Sequence, residues 1–129
     1  MDAVKTSLSA GAVIYHALLN DSALMERITG VYPVFVPKEV SLPYVYYHRA
    51  GLDASASTGK SADAVEIEMA VCAADYAESI EIAELVRAAL DYKQPSIEGL
   101  KIRSCTLSYA TEVAVGDAYV QLLNFTIRI

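Results

Sequence analysis

Residues Ala54-Ser55-Ala56-Ser57-Thr58-Gly59-Lys60-Ser61 come nearest to a reactive loop. A glycine-lysine-serine ending is how a phosphate-binding loop offers backbone N–H groups and an ammonium to a nucleotide. That chemistry asks for more than its last three residues. The first position calls for a glycine to make the tight turn, and Ala54 stands there. The loop must also open a helix whose N-terminus receives the phosphates. Here Ala64-Val65-Glu66-Ile67-Glu68 follows, with the two-residue period of a strand. No later apolar strand ends in an aspartate placed for magnesium. The stretch from Gly51 to Asp63 is small and polar, and reads as a long exposed hairpin loop. A small ligand- or nucleotide-binding α+β domain using residues 54–61 is kept as the alternative reading.

Other reactive types fall short of a constellation. His16 and His48 lie far apart, with no HxH or HxxxH spacing for a metal. There is no GxSxG elbow to position a serine nucleophile. Glu66 and Glu68 share one face of a strand, one step towards a carboxylate pair, but two wet glutamates on an outer face are the ordinary outcome. Cys72 and Cys105 are distant and neither belongs to a CxxC pair, so both read as buried reduced thiols. No catalytic residue, cofactor or metal is expected.

The elements that would carry these residues can be placed from periodicity. Residues 3–20 read as a helix on Val4, Leu8, Tyr15, Leu18 and Leu19. Asn20-Asp21-Ser22 breaks it and caps a short second helix with Leu24, Met25 and Ile28 on one side. The stretch 28–51 holds three of the four prolines. It reads as two strands, Val31–Val36 and Tyr44–Arg49, with prolines marking edges and strand starts. On the second strand, Tyr44, Tyr46 and His48 share one side and Val45, Tyr47 and Arg49 the other. Val65, Ile67, Met69 and Val71 alternate with Glu66 and Glu68 in the next strand. Asp75, with Glu78 three places on, starts a helix over 76–92 that buries Ile82, Leu85, Val86, Ala89 and Leu90. Pro95 prevents its continuation. Two strands close the chain. One runs over 101–113 with Cys105, Leu107 and Tyr109 on one face, the other over 119–129, joined at Gly116-Asp117.

That order has too few strand–helix alternations for a doubly wound sheet. It fits an α+β fold: an antiparallel sheet of about five strands with two main helices packed on one face. At 129 residues, residues 1–129 read as one domain. Chains near this size bury roughly two-thirds of their unfolded surface, enough for a full core without staples. With 54% hydrophobic and 20% charged residues the chain is not disordered. No stretch approaches the roughly 18 apolar residues of a membrane span. The N-terminus lacks the basic start and apolar run of a signal peptide, so cytoplasmic synthesis is the expectation. A net charge of −6, with scattered lysines and arginines, argues against a general nucleic-acid binder.

The order of motifs resembles the tail-completion, or tail terminator, proteins of long-tailed bacteriophages and prophages. The resemblance runs through Ala17-Leu18-Leu19-Asn20-Asp21, Ile28-Thr29-Gly30, Val31-Tyr32-Pro33, Val36-Pro37 and Leu42-Pro43-Tyr44-Val45-Tyr46. It continues through Val65-Glu66-Ile67-Glu68-Met69, Tyr76-Ala77-Glu78, Val86-Arg87-Ala88-Ala89-Leu90 and the closing run Tyr119–Ile127. An arginine that such proteins often carry before the Val31-Tyr32 position is missing here.

The resemblance implies a structural part of the virion tail or neck, assembled in the host cytoplasm. Such proteins form a ring, usually of six, that caps the tail tube at its head-proximal end and mediates head–tail joining. The implied partners are further copies of the chain, the tail tube protein and a head-side connector. DNA would pass through without specific binding, and no membrane is involved. Another head–tail connector subunit is the near alternative. Contacts are expected on the edge strands and on residues 51–63. Tyr44, Tyr46, His48, Asp53, Lys60 and Asp63 are the candidate residues for subunit or tube contacts.

Overall fold

The computed structural model describes residues 5–57 and 60–129, leaving aside the side chains of 55–57 and 60–62. A 3-10 turn, Ser7–Ser9, leads into α1 (Ala10–Leu19), followed by α2 (Ser22–Met25). Strands β1 (Val31–Pro33), β2 (Tyr44–Ser57) and β3 (Lys60–Ala73) come next, then α3 (Tyr76–Leu90). A small hairpin, β4 (Ser96–Ile97) with β5 (Leu100–Lys101), precedes β6 (Ser104–Val115) and β7 (Ala118–Arg128).

Local signals set most of the boundaries. The Asp21 carboxylate accepts from the Leu24 N–H at 2.9 Å and starts α2. Asp75 accepts from Ala77 and Glu78 N–H at 2.8 and 3.3 Å and starts α3. Helix α3 stops at Leu90, ahead of the expected end at 92. Tyr92 takes a left-handed conformation and its N–H turns to the Cys105 carbonyl, so the chain leaves the helix before Pro95 can matter. The first helix also differs from its expected register. It buries Ala10, Val13, Ile14 and Leu18, while Leu8 and Leu19 are exposed. Residue 4 lies outside the described residues.

Five strands form one sheet in the order β1-β2-β3-β7-β6. All neighbours are antiparallel except β1 and β2, which run the same way. The expected strand over 31–36 ends at Pro33 because Val34 turns away with a φ of 67°. The connection 34–43 then carries the chain back to the starting end, so β2 must run parallel to β1. The expected loop over 51–63 is largely strand. Residues Gly51–Ser57 pair with Lys60–Glu66, and only residues 58 and 59 fall outside the described ladder. Small polar residues weaken a strand, but β2 and β3 go on pairing with each other, which overrides local propensity.

The core sits between the helices and one face of the sheet. It joins Val13, Ile14 and Leu18 of α1 and Ile82, Val86 and Leu90 of α3 to Val45, Ile67, Met69, Phe125 and Ile127 of the sheet. Gly11 lets α1 lie close on Tyr47, since an added Cβ would sit 3.3 Å from that ring. The other face has no helix on it among the described residues. Two one-residue bulges interrupt the ladders, at Ala50 in β2 and Ser108 in β6. The second overturns one expectation. Cys105 and Leu107 face the core, but Ser108 shifts the register, so Tyr109 pairs with Asn124 on the opposite face and is 66% exposed.

Candidate functional site

The helix-free face of the sheet is built by alternation. Where β2, β3 and β7 send one residue to the core, the next points out. Tyr44, Tyr46, His48 and Asp53 of β2 all fall on this outer face, each opposite a β3 residue of the same side: Cys72, Ala70, Glu68 and Ala64. Tyr47, one place along, points to the core and packs on Tyr15 at 6.3 Å between ring centres. The structure thus brings together four of the six residues named from the sequence. Asp63 is separate: it pairs with Ala54 on the helix-bearing side and accepts from the Ser7 hydroxyl, so its own chain occupies it. The Lys60 side chain lies outside the described ones, as do residues 58 and 59. Lys60 opens a strand, not the helix a phosphate loop requires.

The outer face is divided along the strands. Near the Gly116 turn it is apolar: Ala70, Cys72 and Val120 form a small buried cluster with Tyr44, Tyr46, Leu42, Ala118 and Leu122 against it. Burial there raises the Tyr44 and Tyr46 hydroxyl pKa values above the ordinary tyrosine range, with Cys72 adding to both. Cys72 itself is pushed up to about 11 by burial, and Cys105, in the main core, to about 12. These thiols sit on opposite faces of the sheet and are both free. Towards the other end the face is polar. Asn124 and Thr126 donate to the Glu66 carboxylate, and Asn124 also donates to the Ser108 hydroxyl at 3.0 Å. His48 Nε2 stands 3.9 Å from Glu68, an open cross-strand contact. The wet-glutamate reading of Glu66 and Glu68 therefore holds for Glu68, while Glu66 is a partly buried acceptor.

A second feature carried no sequence signal. Tyr76 donates to both Glu112 carboxylate oxygens at 2.9 and 3.1 Å, and Gln121 donates to the same carboxylate at 3.0 Å. The Tyr119 ring stands edge-on to Tyr76 at 5.7 Å, and together they line a cavity of about 230 Å³. The hydrogen bond from Gln121, then that from Tyr76, holds Glu112 below the usual carboxylate range. These residues meet only because β6 and α3 are neighbours across the sheet end. Among the described residues no cluster of three or more His, Cys, Asp or Glu is placed to hold a metal. Among them, too, no helix is long and apolar enough to cross a membrane.

The fold and surface define a class: an α+β domain whose most distinctive surface is sheet, one face and two edges, with an arm of paired strand. The family model described as tail completion protein gp17 matches residues 12–129, and the chain belongs to that family. It is a structural component of a phage-type tail. Among solved structures, a chain of the virion of a native gene transfer agent particle is similar at a TM-score of 0.77 and 22% identity, covering 95% of this chain and 98% of that one. The gp17 protein of bacteriophage SPP1 is similar at a TM-score of 0.65 and 20% identity, covering 95% and 90%. At these identities the likeness is one of fold. No match was found among curated protein sequences.

Proposed function

We propose that the chain acts by self-association, as a closed ring that caps the head-proximal end of a tail tube and joins it to the head side. Family membership supports the setting. The observation that carries the mechanism is the β2–β3 hairpin. The last β3 residue paired with β7 is Ala64, opposite Arg128, yet β2 and β3 stay paired out to Ser57 and Lys60. Residues 54–57 and 60–62 therefore form a two-stranded arm reaching past the rest of the sheet. An arm of this kind suits contact with a neighbouring copy or with the tube. Tyr44, Tyr46, His48 and Asp53 present one continuous face along the strand that leads to it. Tyrosine is enriched where proteins meet.

In this reading residues 1–129 act as one domain, with no catalytic step. Identical patches repeat around the ring, and contacts between unlike patches close by rotation. The net charge of −6 suits a channel through which DNA slides without adhering. The experiment is light scattering across a concentration series with electron microscopy, performed with and without purified tail tube protein. Rings that bind tube ends are expected. Rings that bind only the head-side connector would move the chain to another joining position. A monomer under every condition would overturn the reading.

A further inference from the structure

Strand β6 ends the sheet, and its outward edge is treated differently along its length. Before the bulge the edge is covered. The Tyr92 N–H donates to the Cys105 carbonyl at 2.7 Å, and the Leu107 N–H to the Asp91 carboxylate at 2.9 Å. After the bulge the cover stops. The Gly116-Asp117 turn closes on the Val115–Ala118 pair, which therefore exchanges ladder hydrogen bonds. Alternation from there leaves Ala114, Glu112 and Ala110 with both backbone groups aimed away from β7. Among the described residues no hydrogen bond reaches those groups. Residues 108–115 read SYATEVAV, with no proline, glycine or lysine and a single charge. Edge strands are ordinarily blunted by proline, lysine and other charges or by bulges, and beyond the Ser108 bulge this one carries only Glu112.

The opposite edge of the sheet has a matching gap. Strand β1 covers β2 only over Val45–Tyr47, and the Val34 N–H makes the last bond, to the Tyr47 carbonyl. From His48 to Ser57 no described strand lies beside β2 on that side. We propose that residues 108–115 of β6 add as a strand to the 48–57 edge of β2 in a second copy of this chain, and that this pairing joins the ring. The inference rests on the ring reading above and names its contact.

Three features favour a second copy as the occupant. Each of the pairs β2–β3, β3–β7 and β7–β6 is antiparallel, so β6 meets the next copy's β2 antiparallel too, continuing the existing ladder. The open lengths agree: residues 108–115 span about 27 Å at about 3.4 Å per residue, and the β2 edge is slightly longer. Glu112 and Arg49 both project on the helix-bearing face, as their partners Gln121 and Ile67 show, so opposite charges lie along the two edges. Each open segment is the C-terminal part of its strand, and because β2 and β6 run in opposite directions the two lie at opposite ends of the sheet. Copies joined through them are staggered along the strand direction, which is what a sheet closing on itself requires.

The test compares amide hydrogen exchange in the assembled ring and in the dilute monomer. The N–H groups of Ala110, Glu112, Ala114, Leu52 and Ala54 are expected to slow at least about tenfold on assembly. A variant carrying Ala110→Pro and Ala114→Pro removes two outward donors and no ladder donor, so it should keep the monomer's circular dichroism and melting curve. Its association should weaken at least about tenfold. Rings whose edge amides exchange as in the monomer, or rings formed by the folded variant at wild-type concentration, overturn the edge assignment and leave the ring standing. A chain that stays monomeric with and without tube protein overturns both. If the variant does not fold, the exchange comparison on the unaltered protein decides.

Discussion

Replacing Asp91 tests how the end of α3 is fastened to β6. The Asp91 carboxylate accepts from the Leu107 backbone N–H at 2.9 Å and from Arg87 Nε at 2.9 Å. Its side chain is only 9% exposed, whereas that of Arg87 is 52% exposed. The two bonds are therefore unequal. A hydrogen bond to a charged group in a half-buried setting contributes about 1.5–3 kcal/mol, and its loss leaves the Leu107 N–H without a partner. The pair with Arg87, whose guanidinium is half-exposed on the last turn of α3, contributes about 0.3–0.5 kcal/mol. Asp91→Ala should thus cost about 2–3 kcal/mol, nearly all of it from Leu107. Unfolding entropy of about 2.1 cal/mol/K per residue gives this chain about 0.27 kcal/mol/K, so Tm should fall by about 7–11 °C. Arg87→Ala should lower it by no more than about 2 °C. Thermal melts and urea unfolding of both variants decide the matter. Equal losses from the two substitutions, or a changed m-value in Asp91→Ala, would refute the assignment of the energy to the helix–strand bond.

Three further outcomes are expected. Phe125→Ala, which empties a fully buried site between the sheet and the helices, should cost about 3–5 kcal/mol in urea unfolding. Glu112 is held below the usual carboxylate range, so its contribution is full above its ordinary pKa of 4.5 and disappears as pH falls through the lower folded value. Melting curves of the wild type and Glu112→Gln should therefore differ at neutral pH and converge in acid below pH 4.5. A gap that persists into strong acid would contradict the cluster. Cys72 and Cys105, with thiols pushed up to about 11 and about 12 and both buried, should resist iodoacetamide at pH 8. Mass spectrometry should find both alkylated once urea unfolds the chain.

The caps at Asp21 and Asp75 were legible because a single side chain beside a helical run is a local signal. The strand holding Val65, Ile67, Met69 and Val71 was legible for a similar reason: burial on one face imposes period two. The division of β2 into Tyr44, Tyr46 and His48 against Val45, Tyr47 and Arg49 followed from the same alternation. Which side met the helices did not follow, since both sides carry tyrosine. Misreadings arose where distant pairing decides. The run Gly51–Asp63 looks like a loop residue by residue, and becomes strand because β2 and β3 supply partners to each other. In α1 the apolar residues nearly encircle the helix, so several faces were open. Only packing against the sheet and α3 selects Val13 and Ile14 over Leu8 and Leu19. The Tyr76–Glu112–Gln121 cluster joins three elements remote in sequence, and no spacing announces it. The unblunted run Ser108–Val115 was visible as residue types, but its meaning depended on learning that β6 ends the sheet.

The bulges at Ala50 and Ser108 bear on how this chain tolerates changes of length. In β3 and β7, each flanked by paired strands, losing one residue would turn every later side chain to the wrong face. Ala50 and Ser108 already carry that slip, since the ladder resumes beyond them with a residue unpaired. Insertions and deletions accumulating among relatives should therefore gather on β2 and β6, the strands that carry the sheet's open edges, while the β3–β7 pair keeps a constant length.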